Sequence, residues 1–264
     1  MMNNRQDLFE RFRIHGKHKE AFNRLVDKYE QVKRNHTVVH TDFMNPETVA
    51  ALMPVMTTFQ DVNFKVTGGY VRAEYQIVIL FPDYLYVNED EIPLKVVRII
   101  PKDSKHELEH RDVLGSVLGI GIKRDKTGDI LMHDGFYQMV VLDRIADVIT
   151  SQMDRVGKTP VETCVERISD IVINEEVFET AEIVVASERL DAMIAGVWHI
   201  SRGKAADLIK ADKVKVNYQL ITSSGHSLKE EDMVSCRGKG RFYYDGILNK
   251  TRKDRIRVQI RKVK

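Results

Sequence analysis

Ser187-Glu-Arg-Leu-Asp191-Ala-Met-Ile-Ala-Gly-Val-Trp198-His-Ile-Ser201-Arg-Gly-Lys204-Ala-Ala-Asp-Leu-Ile-Lys210-Ala-Asp212-Lys-Val-Lys215-Val-Asn217 is the stretch on which the fold turns. Leu190, Met193, Ile194 and Val197 recur at helical spacing, which predicts a helix capped by Ser187 and running through Trp198. After the short turn His199-Ile200, Ser201 is placed to cap a second helix to about Lys210, with Ala205, Leu208 and Ile209 as its apolar side. Asp212 breaks it. Val214–Asn217 then alternates as a strand with Lys213, Lys215 and Asn217 on one face. A further strand, Met233–Cys236, leads into Arg237-Gly-Lys239-Gly-Arg241 and the aromatic run Phe242-Tyr-Tyr244.

The charges in this stretch are out of place for a helix that acts alone. Arg202 and Lys204 fall in a first helical turn, where the backbone dipole is positive and each cation costs a few tenths of a kcal/mol. Free amides plus two cations form an anion site, and a phosphate gives a reason to accept that cost. The competing reading is an Arg and a Lys merely tolerated at a surface. The glycines of Arg237–Arg241 let backbone approach a partner closely, with Arg offering a planar fork to phosphate and Lys a point charge. The segment Lys250–Lys264 holds eight basic residues, with Ile256, Val258 and Ile260 at alternate positions. It reads as one more strand with a cationic face, or as a solvated edge strand whose charge blocks aggregation.

Outward from here, the whole 264-residue chain carries 41 Lys+Arg and 39 Asp+Glu, a formal net charge of +2. That sum hides a division. Residues 183–264 hold 18 basic and 9 acidic residues, and residues 1–182 hold 23 and 30, giving +9 and −7. A basic C-terminal third on an acidic body is the pattern of a nucleic-acid-binding module attached to something else, unless charges cluster by chance. The longest apolar run, Ile77–Phe81, is strand length and far short of the ~20 residues a membrane helix needs. Met1–Asp7 has no hydrophobic block of a secretory signal. Cys164 and Cys236 read as free thiols in a reducing cytoplasm.

Before this basic third, Leu8, Phe9 and Phe12, then Phe22, Leu25, Val26 and Tyr29, read as helix. Asn45-Pro46-Glu47 opens a further helix that Pro54 interrupts, and Val62–Leu80 reads as a hairpin around Gly68-Gly69. From Leu94 the order is strand (94–100), helix (110–118), two strands (129–132 and 138–142), helix (145–156) and strand (161–168). That is the βαββαβ order of ferredoxin-like and RNA-recognition folds. Gly135-Phe136-Tyr137 faintly matches the aromatic strand signature of RNA-recognition motifs, though ordinary packing aromatics explain it better and Asp134 replaces the expected cation. Ser169–Glu182 reads as an acidic connector. The expected fold class is α+β in three domains: a helical and hairpin region over 1–85, an RNA-recognition-like domain over 86–182, and a basic RNA-binding domain over 183–264.

Arg189-Leu-Asp191, Ser201-Arg202, Leu208-Ile209 and Val214-Lys-Val-Asn217 stand in the order and spacing of the αL motif, and the segment 183–245 resembles the ribosomal-protein-S-four-type RNA-binding domain. Where that family has glycine, this chain has Asp212 and Tyr218, and it has Glu231-Asp232 for Gly-Asp; the departures concern turns. Phe43-Met-Asn-Pro-Glu47, Gly68-Gly69, His110-Arg-Asp-Val-Leu-Gly115, Ile122-Lys-Arg124 and Gly128-Asp-Ile130 resemble the bacterial YlmH proteins, a likeness that covers nearly the whole chain. The resemblance implies a monomeric, non-catalytic protein without cofactor or metal that binds structured RNA. It implies ribosomal RNA of the large subunit and tRNA as partners, in the rescue of stalled large subunits. It also implies that Arg189 and Arg202 contact phosphates, that Lys204, Lys210, Lys213, Lys215, Arg237, Lys239 and Arg241 line the same face, and that Ser201 and Asn217 belong to this RNA-binding set. Asp191 is expected to hold the helix pair through a basic neighbour. A protein partner could dock on residues 1–182.

Two other chemistries have partial signatures in the sequence. His106-Glu-Leu-Glu-His110 satisfies H-E-x-x-H, but a loop precedes it and no third ligand follows at a standard spacing, so a solvated helix entry is the better reading. Arg189-Leu-Asp191 also resembles the catalytic triplet of pseudouridine synthases, yet it sits inside the RNA-binding module with no second copy elsewhere. An RNA-modifying enzyme would need a concave site with converging polar groups in residues 1–182, and the sequence offers no candidate. A scaffold that docks a division or translation factor is the remaining alternative.

Overall fold

Asn45 sets the entry to the third helix as its chemistry demands: its side-chain oxygen accepts from the Thr48 amide at 2.8 Å, and Pro46 takes the first helical position. The computed structural model describes residues 5–16, 18–103, 108–173, 178–251 and 254–263. These form two compact units, 1–174 and 175–264. In the first, α1 (Arg5–Arg11), α2 (His18–Asn35), β1 (Val39–His40) and α3 (Pro46–Met56) precede β2 (Val62–Thr67) and β3 (Ile77–Pro82). Pro54 does not end α3. The helix runs two residues further because Val55 and Met56 are fully buried, and one lost backbone bond weighs less than that burial.

The strands around Gly68-Gly69 pair as expected, but Thr67 opposes Ile77, so the connection spans nine residues and is no tight turn. The glycines serve close approach instead. A Cβ on Gly69 would stand 2.4 Å from Ile168, and one on Gly68 2.4 Å from the Tyr75 carbonyl. Asp129 fixes this loop by accepting from the Tyr70 hydroxyl at 2.7 Å and from the Glu74 and Tyr75 amides at 2.7 and 3.0 Å.

Then come β4 (Leu94–Pro101), α4 (His110–Gly119), β5 (Thr127–His133), β6 (Phe136–Leu142), α5 (Asp143–Gln152), β7 (Arg155–Val156) and β8 (Thr159–Glu166). They form an antiparallel sheet in the order β5-β6-β4-β8-β7, the strand order of a split βαβ fold. One helix is shorter than the sequence suggests, because Arg155–Val156 leaves it to pair with β8 around Gly157. One sheet face, with Val97, Ile99, Met139 and Val141, packs on α4 and α5.

The other face is taken as well. Leu94, Val140, Leu142 and Leu131 share a core with Phe43, Ile77 and Ile79 from the preceding segment and with Ile168 and Ile171. Gln138, wholly buried, donates to Glu166 at 2.6 Å and accepts from the Val172 amide at 2.7 Å. Tyr137 is buried on the helix side, where its hydroxyl accepts from the Leu108 amide. Phe136 stacks on His133 at 4.5 Å and lies 3.7 Å from the Arg98 guanidinium. Tyr137 is therefore a packing residue, and Phe136 is partly buried between His133 and Arg98.

The second unit holds β9 (Phe178–Val185), α6 (Leu190–Val197), α7 (Arg202–Lys210), β10 (Val214–Val216), β11 (Gln219–Leu220), β12 (Met233–Cys236), β13 (Gly240–Lys250) and β14 (Ile256–Val263). The sheet order is β11-β10-β12-β13-β14-β9. The acidic connector is corrected here. Phe178–Val185 is a strand that pairs along all of β14, with Ala181, Ile183 and Val185 turned to the core. Its alternation is masked in the sequence by interleaved glutamates. Counted from 175, the C-terminal unit holds 18 basic and 13 acidic residues, or +5, and residues 1–174 hold 23 and 26, or −3. Among the described residues no helix is long and apolar enough to cross a membrane.

Gly128 lies against Phe43, and an added Cβ would stand 2.7 Å from its ring. Gly128→Ala should destabilise the protein by about 1–3 kcal/mol, as overpacking does. Urea unfolding checks this, and because the two parts share that core the loss should appear in one transition, not two.

Candidate nucleic-acid interface

Helix α6 is capped by Arg189 in extended conformation, two residues later than Ser187. Its first amides do not wait for a ligand. Leu190 donates to the His226 carbonyl at 2.7 Å and Asp191 to the Ser224 carbonyl at 3.2 Å, so the 222–228 loop closes that helix end. Ser201, which the motif places in the RNA-binding set, caps α7 by accepting from the Lys204 amide at 3.2 Å.

Between the two helix starts lies Asp191, 6% exposed. Arg202 Nη2 donates to its Oδ2 at 2.7 Å, and Arg189 Nε donates to its Oδ1 at 3.2 Å. Burial alone would raise this carboxyl's pKa, but the hydrogen bonds from Arg189 and Arg202 and their charge outweigh it and hold the group below the usual aspartate value. The guanidiniums stay about half exposed, 46% and 51% by side chain. A buried carboxylate thus orients two water-facing cations, one charge short of neutrality.

The other predicted residues divide. Lys204 and Lys210 are exposed on α7. Lys215 alternates with buried Val214 and Val216, whose side chains pack under the helices, so it points to the opposite face of the sheet. Lys215 opposes Ser235, and Ser235 opposes Arg241. The Arg237 amide donates to the Lys213 carbonyl, which extends the same ladder, and Lys239 sits in the turn between β12 and β13. Asn217 has a structural role: its Nδ2 donates to Asp232 at 2.7 Å and its Oδ1 accepts from the Met233 amide at 3.0 Å. Two of the tail's cations are paired. Arg261 donates to Asp245 at 2.7 Å and Glu231 at 3.0 Å, and Arg257 to Glu182 at 3.4 Å.

The glycine departures fall where glycine is sterically favoured. Asp212, Tyr218 and Glu231 have φ of +57°, +65° and +68°. The turns keep their shape and carry the strain of a side chain in the left-handed region.

A feature the sequence reading missed is a cleft of about 570 Å³ in the first unit, bordered by Arg24, Asp42, Phe43, Tyr75, Asp125 and Arg144. Its parts come from α2, the segment around residue 42 and the 124–127 turn, too scattered for any local motif to announce. Its charges answer one another: Arg24 donates to Asp125 at 3.4 Å, Arg144 to Asp42 at 3.1 Å, and Lys126 pairs with Asp42. Of the H-E-x-x-H pattern, His106 and Glu107 lie outside the described residues, and Glu109 precedes α4 in extended conformation. Among the described residues no group of three metal-binding side chains forms.

Asp191→Asn should cost about 1–3 kcal/mol at neutral pH, since it removes the charge that two guanidiniums need. The sign with pH follows from a lowered native pKa. The wild-type contribution is complete above the unfolded value of about 3.9 and is lost as pH falls through the lower native value, and the variant lacks that acid limb. Thermal melts from pH 7 to pH 2 read both effects. Tyr218→Gly should raise stability by about 0.5 kcal/mol, the relief of left-handed strain less glycine's entropy.

Three family models match in succession: "YlmH, N-terminal" over residues 17–85, "Putative RNA-binding domain in YlmH" over 88–170, and the S4 domain over 188–234. A Bacillus subtilis (strain 168) protein named ribosome-associated protein quality control protein P2 is 34% identical over 259 residues, spanning 98% of this chain and 99% of its own. The solved cell division protein ylmH from Streptococcus pneumoniae matches with a TM-score of 0.50 at 21% identity, over 60% of this chain and 97% of its own, a likeness of fold. With all three segments matched in order and a relative aligned almost end to end, the chain belongs to the YlmH family and carries an S4-type RNA-binding domain.

Proposed function

We propose that this protein is a non-catalytic RNA-binding protein that acts in the cytoplasm as a monomer, binds ribosomal RNA of the large subunit and tRNA, and serves the quality control of stalled large subunits. One observation carries the reading: Arg189 and Arg202 are held on a buried carboxylate with their outer donors facing water, at the paired helix starts of an S4 domain. A guanidinium so fixed meets a phosphate with little further loss of side-chain freedom. Lys204 and Lys210 add charge along α7. The name of the Bacillus subtilis relative supplies the ribosomal setting. Residues 1–182 would offer a face to a protein partner.

The alternative, an RNA-modifying enzyme, has one feature in its favour, the cleft between α2 and the 124–127 turn. Arg24, Asp42, Asp125 and Arg144 in it are engaged in ion pairs. New nucleoside masses after incubation with ribosomal RNA would support that alternative.

Lys204→Glu with Lys210→Glu avoids the Asp191 pairs and tests binding without breaking the module. It should lower affinity for large subunits at least tenfold and reduce the slope of log affinity against log salt by about 2, one for each lost phosphate contact. Arg189→Glu with Arg202→Glu should abolish co-sedimentation. Wild-type binding by both double variants would show the assigned surface to be wrong.

A further inference from the structure

Asp83-Tyr-Leu-Tyr-Val-Asn-Glu-Asp-Glu91 lies between β3 and β4 and holds four carboxylates, two tyrosines and no cation. The backbone of this loop is pinned. Its Asp83 amide donates to the Asp61 carbonyl at 3.3 Å, and its Leu85 amide to the Pro82 carbonyl at 3.0 Å. Val87 and Ile92 are buried in the core that also holds Phe43 and Ile77. Glu91 accepts from the Asn88 amide at 2.8 Å and closes a single tight turn, Glu89–Glu91. Leu85 is partly buried and Val87 buried, and between them the chain turns Tyr84 and Tyr86 to water, 67% and 93% exposed. The Tyr84 hydroxyl pairs with His36 Nδ1 at 3.1 Å. Tyr86 has no polar or ring partner among the described residues, and neither have the Asp83 and Asp90 carboxylates. Glu89 pairs with Lys65 at 2.7 Å and stays 82% exposed.

A loop held at both ends loses little freedom when a partner arrives. Tyrosine offers a partner a large, stiff ring at low entropic cost, which is why it anchors protein interfaces. The carboxylates then decide the partner's sign. They repel phosphate, so a nucleic acid is disfavoured here even though bases stack on bare rings. They attract a cationic chain, and an arginine can pair with a carboxylate while its guanidinium lies over a tyrosine face. We infer that the 83–91 loop is a docking surface for an arginine- and lysine-rich segment of a protein partner, with Tyr84 and Tyr86 as the rings and Asp83 and Asp90 as the charge that receive it. The inference rests on the reading that residues 1–182 offer a face to a protein, and it adds which face and what chemistry. The loop belongs to the first unit, and the RNA contacts proposed for α6 and α7 belong to the second.

The test uses the full chain and labelled probes: a short peptide with arginine at alternate positions, its counterpart with glutamine for each arginine, and an RNA hairpin with an unpaired loop. The wild type should bind the arginine peptide and not the glutamine one, and less tightly as salt rises. Tyr84→Ser with Tyr86→Ser should weaken arginine-peptide binding about 5- to 25-fold, the range of two lost cation–π contacts. Tyr84→Phe with Tyr86→Phe keeps both rings and should bind within about twofold of wild type. Asp83→Asn with Asp90→Asn should weaken binding about 2- to 30-fold, the range of two exposed ion pairs. These side chains are exposed, so thermal melts should match wild type in all three. RNA binding should change less than about twofold in all three, and fall with Lys204→Glu and Lys210→Glu. No peptide loss with either the serine pair or the asparagine pair overturns the loop and places docking elsewhere on the chain. Equal peptide loss with the phenylalanine and serine pairs overturns it as well. An RNA loss as large as the peptide loss in the serine pair overturns it in favour of base stacking. If the wild type binds neither peptide, the protein-docking reading of the first unit fails with the loop. The RNA-binding function stands or falls separately, on the Lys204 and Lys210 reversals.

Discussion

Asp191 carries a constraint that organises the whole C-terminal unit. A carboxylate out of water is costly unless paired and hydrogen-bonded, and this one is 6% exposed with Arg202 and Arg189 both donating to it. The pairing acts in two directions. It ties the start of α6 to the start of α7, eleven residues apart in sequence, and so fixes how the helices lie on the sheet. It also removes most of the freedom of two long side chains while leaving donors unspent, since each guanidinium has five and Arg202 gives one to Asp191. Stability and recognition therefore share one group. The 222–228 loop completes the arrangement by closing the α6 amides and passing Gly225 under the Arg189 guanidinium, where a Cβ would come within 3.1 Å.

The first unit shows the opposite use of a sheet. Its βαββαβ order would leave one face bare, and in RNA-recognition folds that face meets bases. Here Phe43, Ile77 and Ile79 cover it from the preceding segment, and Gln138 is sealed beneath the 166–172 segment. The matched domain in this region keeps the fold but not the free face. The same strand order can thus serve packing in one protein and reading in another, which is why order alone does not name a function.

Much of this was legible in the residues. Asn45-Pro46 announces its helix, the βαββαβ order follows from periodicity and glycine stops, and the four αL motifs fix the last module in register. What escaped is non-local. Glutamates at 179 and 182 hide the alternation of Ala181, Ile183 and Val185, so the strand reads as a linker. Periodicity says that Lys213 and Lys215 share a face but cannot say that α7 lies on the other one. Asn217 and Ser201 stand out as polar members of a motif, and what the sequence does not show is that a turn and a helix cap each use part of their hydrogen-bonding capacity. The cleft beside Asp42 is assembled from residues a hundred positions apart, such as Arg24 and Asp125, and no local pattern encodes it.

The misplaced strand also changes the electrostatic argument. With β9 assigned to the basic unit, a division of −7 and +9 shrinks to −3 and +5, so bulk charge explains less than placement does. Of the four glutamates so reassigned, Glu179 and Glu182 lie on the edge strand β9, where Glu182 meets Arg257. Charge on an edge discourages a foreign strand from pairing there, and the opposite edge, β11, is only two residues long. Both edges are thereby blunted, and one face is packed under α6 and α7. The glutamates of β9 therefore act through their place on an edge, which a net charge cannot express.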